Sequence, residues 1–294
     1  MRADLHNHGA IGFQPGWLNT QGYPESRLFT IFLSSCIDRG IEICAITSES
    51  EDLTRDSVHD RFNYLIKTTR PGPTCEAFER LGENVLLAQQ NGFRPVYFVN
   101  SQTVMVQEGD RRIDHLVIGR NDIPNGMSLA DTIKCANDHG PVIQIAEHPL
   151  VTAHYGMGEE TLEKYLEEVD AIEGHNAQLI FPGSIGRIPG LGTFSRSTNN
   201  KTKMFAIRNR KPWIGTSDAH RFEDTGAAYI EFQDSLVDTS GGDELLVSLR
   251  DNIIRQGKFS CHEGYVSFGA WADWVLPFTA FLAYSKLRPK PKEK

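Results

Sequence analysis

The chain has few of the features that mark secreted, membrane-spanning or disulfide-linked proteins. Its five cysteines are odd in number and form no Cys-x-x-Cys pair, which predicts reduced thiols in a cytoplasmic protein. The most apolar stretch, from Trp271 to Tyr284, is interrupted by Asp273 and Pro277 and is shorter than the about 20 residues that a membrane span needs. The charged start, Met1 to Asp4, does not fit a signal peptide.

Positive charge is also scarce. Lysine and arginine number 30 against 38 acidic residues, giving a net charge of −8. General nucleic-acid and membrane-surface binders carry a basic face, so this balance argues against both classes while leaving a small phosphorylated substrate open. No linker composition or internal repeat divides the 294 residues. We therefore expect a single domain over residues 1–285 and a disordered tail over residues 286–294.

Short apolar runs alternate with amphipathic segments along the chain. The runs predict strands over 41–47, 95–99, 113–119, 141–146, 170–173, 212–215 and 227–232. The segments predict helices over 26–39, 75–91, 128–139, 159–168, 201–209 and 242–257. This alternation predicts an α/β fold with a parallel sheet, either doubly wound or closed into a barrel.

Histidines and an aspartate follow two of these strands and the extended segment at the start of the chain. His6-Asn7-His8 closes the first strand, and on an extended segment the two imidazoles would point the same way. Glu147-His148-Pro149 and Ser217-Asp218-Ala219-His220 follow two later strands. Because ligands gather at the carboxyl ends of strands in α/β folds, these side chains are expected to converge on a metal ion.

These motifs resemble those of the PHP (polymerase and histidinol phosphatase) superfamily of metal-dependent phosphoesterases. Over residues 2–226 the matching stretches, in family order, are Asp4–His8, Ile46–Glu49, His115–Gly119, Ala146–Pro149 and Gly215–His220. The resemblance implies a distorted (β/α)7-type barrel with one to three divalent ions (Zn, Mn or Fe) at the carboxyl ends of its strands. It also implies phosphate-ester hydrolysis by a metal-bound hydroxide.

The resemblance also implies the ligands. His6, His8 and Asp218 would hold one ion, His115 and His148 a second, and His220 a third. Imidazole and carboxylate suit these metals, and a coordinated water can ionise near neutral pH. Asp218 and His220 are the predicted catalytic residues, with His220 assisting proton transfer.

The chain departs from the family pattern at two ligand positions. Ser48-Glu49 replaces an Asp-His pair, and Glu49 is predicted to remain a metal ligand. Gln102 stands near the position of a bridging glutamate and is predicted to contact substrate instead. Glu147 precedes His148 and, by strand alternation, is expected to face away from the site.

Three arginines are candidates for binding a substrate phosphate. Arg187 and Arg196 lie in the Gly-rich stretch 182–200, which is expected to be a lid or binding loop. Arg221 follows His220, and its planar guanidinium suits two phosphate oxygens. Surface solubility and ion pairing explain these arginines equally well.

Three functions fit this sequence. The leading one is a metal-dependent hydrolase acting on a phosphate mono- or diester, such as a small phosphorylated metabolite or a nucleotide end. The second is a degenerate family member that binds metal or ligand without efficient catalysis, as Ser48, Gln102 and the lack of the family's aspartate in the loop after His8 suggest. The third is a metal-dependent amide or lactone hydrolase, because the same hydroxide can attack a carbonyl carbon. The oligomeric state stays open.

Overall fold

A computed structural model describes residues 1–9, 25–49, 60–68, 75–138, 140–182 and 194–273. Its strands are β1 (Arg2–Asp4), β2 (Ile43–Ser48), β3 (Cys75–Arg80), β4 (Val85–Gln90), β5 (Val96–Glu108), β6 (Arg111–Ile118), β7 (Ile143–Ala146), β8 (Ala171–Asn176), β9 (Trp213–Thr216), β10 (Tyr229–Glu231) and β11 (Ser260–His262). Its α-helices are α1 (Glu25–Arg39), α2 (Arg61–Thr68), α3 (Leu129–Asn137), α4 (Gly158–Lys164), α5 (Arg196–Arg208) and α6 (Gly242–Ser248). A π-helical segment, Leu249–Ile254, continues α6.

The described strands form one mixed sheet with the order β11-β10-β1-β2-β5-β6-β7-β8-β9, and β3 and β4 extend from β5. Pairing is parallel between β1, β2 and β5 and between β7, β8 and β9. It is antiparallel on both sides of β6 and between β1, β10 and β11. The expectation of a parallel sheet is therefore wrong at these pairs.

The two ends of the sheet approach one another. Cys261 Sγ on β11 lies 3.5 Å from the Trp213 carbonyl oxygen on β9. Just past β1 and β9, Asn7 and Ala219 form a parallel bridge in which the His8 amide donates to the Ala219 carbonyl at 2.8 Å. The protein is thus a mixed α/β structure with a nearly closed, barrel-like sheet.

The strands alternate between two apolar layers. Ile43, Leu116, Ile118, Ile143 and Ile145 belong to the barrel core, where side chains of α6 and the π-helical segment join them. The intervening residues pack outward, Cys44 and Ile46 against α1, and Val117 against α3. Because successive side chains on a strand point to opposite faces, this parity fixes which residues near the strand ends reach the barrel interior.

Residues 75–91 form the hairpin β3–β4, so the predicted helix there is wrong. Gly82 adopts a left-handed conformation (φ +77°) in the turn between the strands. Val85 and Leu86 are buried, and β4 pairs with β5 over Val85–Ala88. Pairing with the existing sheet outweighs the helix propensity of this stretch, as tertiary context commonly does. No helix among the described residues is long and apolar enough to cross a membrane.

Candidate metal site

The first candidate ligand group consists of His6, His8 and Asp218, whose side chains lie together in the structure. His6 Nε2 lies 3.0 Å from His8 Nε2 and 3.4 Å from Asp218 Oδ1, and His8 Nε2 lies 3.2 Å from the same oxygen. Two atoms that each bind one ion at about 2.0–2.2 Å stand roughly 3.0–3.4 Å apart. The three atoms therefore have the mutual spacing of ligands to a shared cation.

A buried carboxylate joins the two chain segments that supply this group. Asp4 is fully buried and accepts hydrogen bonds from Asn7 Nδ2 at 3.2 Å and from the amides of Ser217 and Gly226 at 3.1 and 2.9 Å. Asp218 adopts a left-handed backbone (φ 46°), a conformation that costs a non-glycine residue energy and is common at functional sites. The Asp4 network fixes the loop after β9 against the end of β1.

The second group consists of Asp114, His148 and His154, each offering an atom within 4.8 Å of the others. Asp114 lies on β6, His148 follows β7, and His154 ends a short 3-10 helix, Thr152–His154. Asp114 Oδ1 and His148 Nδ1 are buried and have no hydrogen-bond partner among the described residues. Buried polar atoms are normally paired, so these two fit a role as ligands. Asp114 and His154 were missed in the sequence.

A tight loop holds His154 in place. The amide of Val151 donates to the His148 carbonyl and that of Gly158 to the Pro149 carbonyl, both at 2.8 Å. The Asp114 amide donates to the Tyr155 carbonyl at 2.9 Å, which attaches the loop to β6. His148 itself has a positive φ of 22°. The loop and the strand that carry this group are therefore one hydrogen-bonded unit.

A third group, His8, Glu49 and His220, lies at the rim. The His8 and His220 rings are 4.5 Å apart, and Glu49 Oε1 lies 3.6 Å from His8 Nδ1. Arg61 also donates to Glu49 at 2.8 Å. Burial raises the pKa of Glu49, but His8, Arg61 and His220 outweigh it and lower the pKa to about 2. Glu49 is thus a carboxylate already partly neutralised by a guanidinium.

Two further glutamates lie between the groups. Glu173 Oε1 lies 2.8 Å from His6 Nδ1, and its Oε2 accepts from the His148 amide at 2.6 Å. A proton shared with Glu173 on Nδ1 leaves His6 Nε2 as the ligand atom. Glu147 Oε1 lies 3.4 Å from His6 Nε2 and 3.3 Å from His148 Nε2. The expectation that Glu147 faces away is wrong, because Ile143 and Ile145 set the inward parity that Glu147 continues.

The site is acidic and buried. Asp114, Glu147, Glu173 and Asp218 are all buried around the histidines. Burial lowers the pKa of His6, but Asp218, Glu147 and Glu173 outweigh this and raise it well above the usual value. Burial raises the pKa of Asp114, and Glu147 raises it further. Buried carboxylates are costly unless they are paired or coordinate a metal, so the donor set fits divalent cations.

Two predicted site residues face elsewhere. His115 lies on the outward face of β6, where its Nε2 contacts Gln144 Oε1 at 3.0 Å, so the structure does not place it with His148 as a co-ligand. Gln102 donates to the Ile123 carbonyl at 2.8 Å and accepts from the Ile123 amide at 3.0 Å. Both ends of its amide are therefore engaged by backbone rather than directed to a substrate.

The candidate phosphate-binding arginines are also engaged elsewhere where they are described. Arg196 donates to the Ile180 carbonyl at 3.1 Å and lies over the Tyr265 ring at 4.2 Å. Arg221 pairs with Asp273 at 2.8 Å and approaches Glu223. Arg187 lies outside the described residues. A role for these arginines in substrate binding stays a prediction.

Comparison with known proteins gives a match to a family model and a similarity to solved structures. The fold resembles the crystal structure of PsfC from Pseudomonas syringae PB-5123, with a TM-score of 0.58 and 13% sequence identity over 96% of this chain and 98% of that one. No curated protein matches the sequence. Residues 196–252 match the family model described as PHP-associated. That segment contains α5, β9 and Asp218.

Proposed function

We propose that this protein is a metal-dependent hydrolase that cleaves a phosphate mono- or diester in a small phosphorylated substrate or at a nucleotide end. The observation that carries the proposal is the convergence of two ligand groups, His6/His8/Asp218 and Asp114/His148/His154, in one buried acidic site. The match to the PHP-associated family model, in a superfamily of metal-dependent phosphoesterases, supports the same class of reaction.

When bound, the divalent ions would supply Lewis acidity and a coordinated water that ionises near neutral pH. The residues of the chain hold and orient this centre. The buried carboxylates around it repel an anionic substrate, and the Arg61 guanidinium, which donates to the His8 carbonyl, is also bound by Glu49. Cations bound in the site would offset this repulsion and favour binding of an anionic phosphate.

Two ions fit this site better than three. A neutral imidazole has one nitrogen lone pair for a metal, so His8 serves either the first group or the rim group with Glu49 and His220. The Arg61 guanidinium beside Glu49 adds positive charge that opposes a cation at the rim. We assign the ions to the first and second groups.

This assignment gives His220 a role in proton transfer. Its Nδ1 lies 2.8 Å from the Asp218 carbonyl oxygen, which accepts a hydrogen bond when Nδ1 carries the proton. In that tautomer Nε2 carries no proton and can accept one. The ring lies beside His8 at the edge of the site, within reach of the centre that the first group builds.

A second candidate function is metal or ligand binding without efficient turnover. The observation that favours it is Gln102, whose amide is taken up by the Ile123 backbone where the family resemblance expects a bridging glutamate. The two candidates differ in catalysis and not in metal content.

The test is reconstitution of the chelated protein with Mn, Zn or Fe(II). Bound metal is measured by mass spectrometry, and hydrolysis is assayed with 4-nitrophenyl phosphate and bis(4-nitrophenyl) phosphate. Turnover that requires metal supports the hydrolase. Bound metal with no turnover of either ester supports the binding protein, and turnover of an amide or lactone alone overturns phosphate specificity.

A matched pair of variants ties the activity to the site. Asp218→Asn should lose metal and activity together, because it removes the carboxylate of the first group. Asp38→Asn makes the same chemical change at an exposed position in the last turn of α1 and should leave both unchanged. Full metal content in Asp218→Asn would contradict the ligand assignment.

A further inference from the structure

We propose that Arg112, whose guanidinium lies over the Tyr155 ring at the edge of the metal site, binds the terminal oxygens of a phosphate monoester. The inference rests on the metal-dependent function proposed above and names the class of its substrate. Arg112 lies on β6, the strand that carries Asp114 of the second group. It is a different residue from the arginines that the sequence indicated, which are Arg187, Arg196 and Arg221.

The alternation of β6 places Arg112 on the inward face of the sheet. Leu116 and Ile118 belong to the barrel core, and Asp114 and Arg112 continue the same parity toward the start of the strand. Because β6 runs antiparallel to β7, its first residues lie at the edge where β7 ends and His148 follows. Two residues of a strand span about 6.8 Å, so Arg112 lies one inward position closer to that edge than Asp114.

The Arg112 guanidinium has a supported face and a donor that no hydrogen bond uses. Its Cζ lies 4.2 Å from the centroid of the Tyr155 ring, and the Tyr155 carbonyl accepts from the Asp114 amide at 2.9 Å, which holds the tyrosine beside β6. The Nε atom of Arg112 is buried and has no hydrogen-bond partner among the described residues. Buried polar atoms are normally paired, so Nε fits a hydrogen bond to a bound ligand. The N–H groups of a guanidinium lie in its plane, and a ring against its face leaves them free to bind oxygens.

The charge of Arg112 acts on the second group. Burial raises the pKa of Asp114 and Glu147 raises it further, while His148 and Arg112 oppose both effects. The described contact of the guanidinium is an aromatic ring and not a carboxylate, so its positive charge is not neutralised by a direct ion pair with a described residue. This combination of proximity and unneutralised charge fits an anion bound beside the metal positions.

A phosphate monoester suits this arrangement better than a diester. A monoester carries a charge of about −1.5 to −2 near neutral pH and has three terminal oxygens, whereas a diester carries a single charge and has two. If each of two cations takes one terminal oxygen, a monoester still offers a third to the guanidinium, and a diester does not. Arg112 therefore favours the monoester within the class of substrates proposed above.

The experiment measures phosphate binding and ester hydrolysis by the Mn(II)-loaded full chain. Arg112→Met keeps an apolar stem, removes the guanidinium and should retain the wild-type metal content. It should bind inorganic phosphate about 10–100-fold more weakly in calorimetric titration, because charge-assisted hydrogen bonds are lost. The ratio of kcat/KM for 4-nitrophenyl phosphate to that for bis(4-nitrophenyl) phosphate should fall by about tenfold or more. Arg208→Met, which makes the same change in an exposed ion pair with Glu159, should match the wild type.

Further variants separate the guanidinium from a general effect on the loop. Arg112→Lys keeps the charge without the planar fork, so its phosphate affinity should lie between those of the wild type and Arg112→Met. If Arg112→Met does not fold, as judged by circular dichroism, Arg112→Lys must still show weaker phosphate binding. Tyr155→Phe keeps the ring beneath the guanidinium and should bind phosphate more tightly than Tyr155→Leu, which removes it.

The outcomes separate this inference from the proposed function. Phosphate binding in Arg112→Met as tight as in the wild type overturns the role of Arg112 and leaves metal-dependent hydrolysis standing. Loss of Mn(II) from Arg112→Met also overturns it, because the residue would then act through the metal ligands. An equal loss of activity toward both esters overturns the preference for the monoester. Phosphate binding that depends on Arg112 in a protein that cleaves neither ester overturns the proposed reaction alone.

Discussion

The two ligand groups of this site differ in how the chain supplies them. The first group comes from two short motifs, His6-Asn7-His8 and Ser217-Asp218, which the Asn7–Ala219 bridge places side by side. The second group takes Asp114 from a strand that is antiparallel to both neighbours, His148 from the end of β7, and His154 from a turn. The first group is a property of adjacent strand ends, and the second depends on a loop conformation.

This difference predicts that the two ligand groups tolerate mutations of the surrounding structure unequally. The Asp4 network and the barrel core fix the first group, whereas the loop from His148 to Gly158 must keep its turn for the second group to exist. We therefore expect the first ion to bind more tightly. Changes in the loop should weaken only the second ion, and changes at His6 should weaken the binding of both ions.

The largest effect is expected from His6→Ala. His6 contributes to the first group, and its ring also contacts Glu147 and Glu173. The substitution should therefore lower the affinity for both ions. Activity should fall by more than about a hundredfold, beyond the effect of removing a group that only orients a ligand. Metal analysis and the ester assays measure this. One ion retained at wild-type affinity would show that the groups are independent.

The next comparison sets His154→Gln against His115→Gln. His154→Gln should weaken the second ion by about tenfold or more while the first ion binds normally. His115→Gln should leave both ions unchanged, because the His115 ring faces outward and contacts Gln144. Calorimetric titration with Mn(II) gives both affinities. The reverse result would restore the ligand set that the family resemblance implies.

Much of this arrangement could be predicted from the sequence because strand ends converge in an α/β fold. The motifs at 6–8, 148 and 217–220 indicated the first group and one ligand of the second. The helices α1 and α3 begin and end within two residues of their predicted bounds. These features depend on local pattern and on a general property of sheets.

The rest depends on strand direction and parity. The predicted parallel sheet gave no reason to consider Asp114, since β6 runs antiparallel to β5. The parity of Ile143 and Ile145 was visible in the sequence and does predict that Glu147 points inward. The position of His154 could not be predicted, because it follows from a turn in which Tyr155 is left-handed (φ 53°) and which has no periodic sequence pattern.

A smaller effect is expected from Gly156→Ala, which perturbs the loop without touching a ligand. A Cβ there would lie 2.7 Å from the His148 carbonyl oxygen and 2.8 Å from that of Pro149. The turn must open, which should destabilise the protein by about 1–3 kcal/mol and weaken only the second ion. Thermal unfolding and Mn(II) titration measure the two effects.

Gly269→Ala is the control for this substitution, because the nearest atom to its Cβ would be Ser267 Oγ at 3.9 Å. It should leave stability and both ions unchanged. If Gly156→Ala weakened the binding of both ions equally, the second group would not depend on the loop independently of the first group.

The smallest effect on metal binding is expected from Gln102→Glu, which introduces at 102 the residue type that the family resemblance expects nearby. The new carboxylate would face the Ile123 carbonyl that Gln102 Nε2 now contacts at 2.8 Å, so a buried acceptor would lose its donor. Stability should fall by about 1–3 kcal/mol with no change in metal stoichiometry. Gln107→Glu, which removes an exposed bond to the Gly109 carbonyl, should have a smaller effect. A change in metal stoichiometry in Gln102→Glu would show that residue 102 reaches the ions after all.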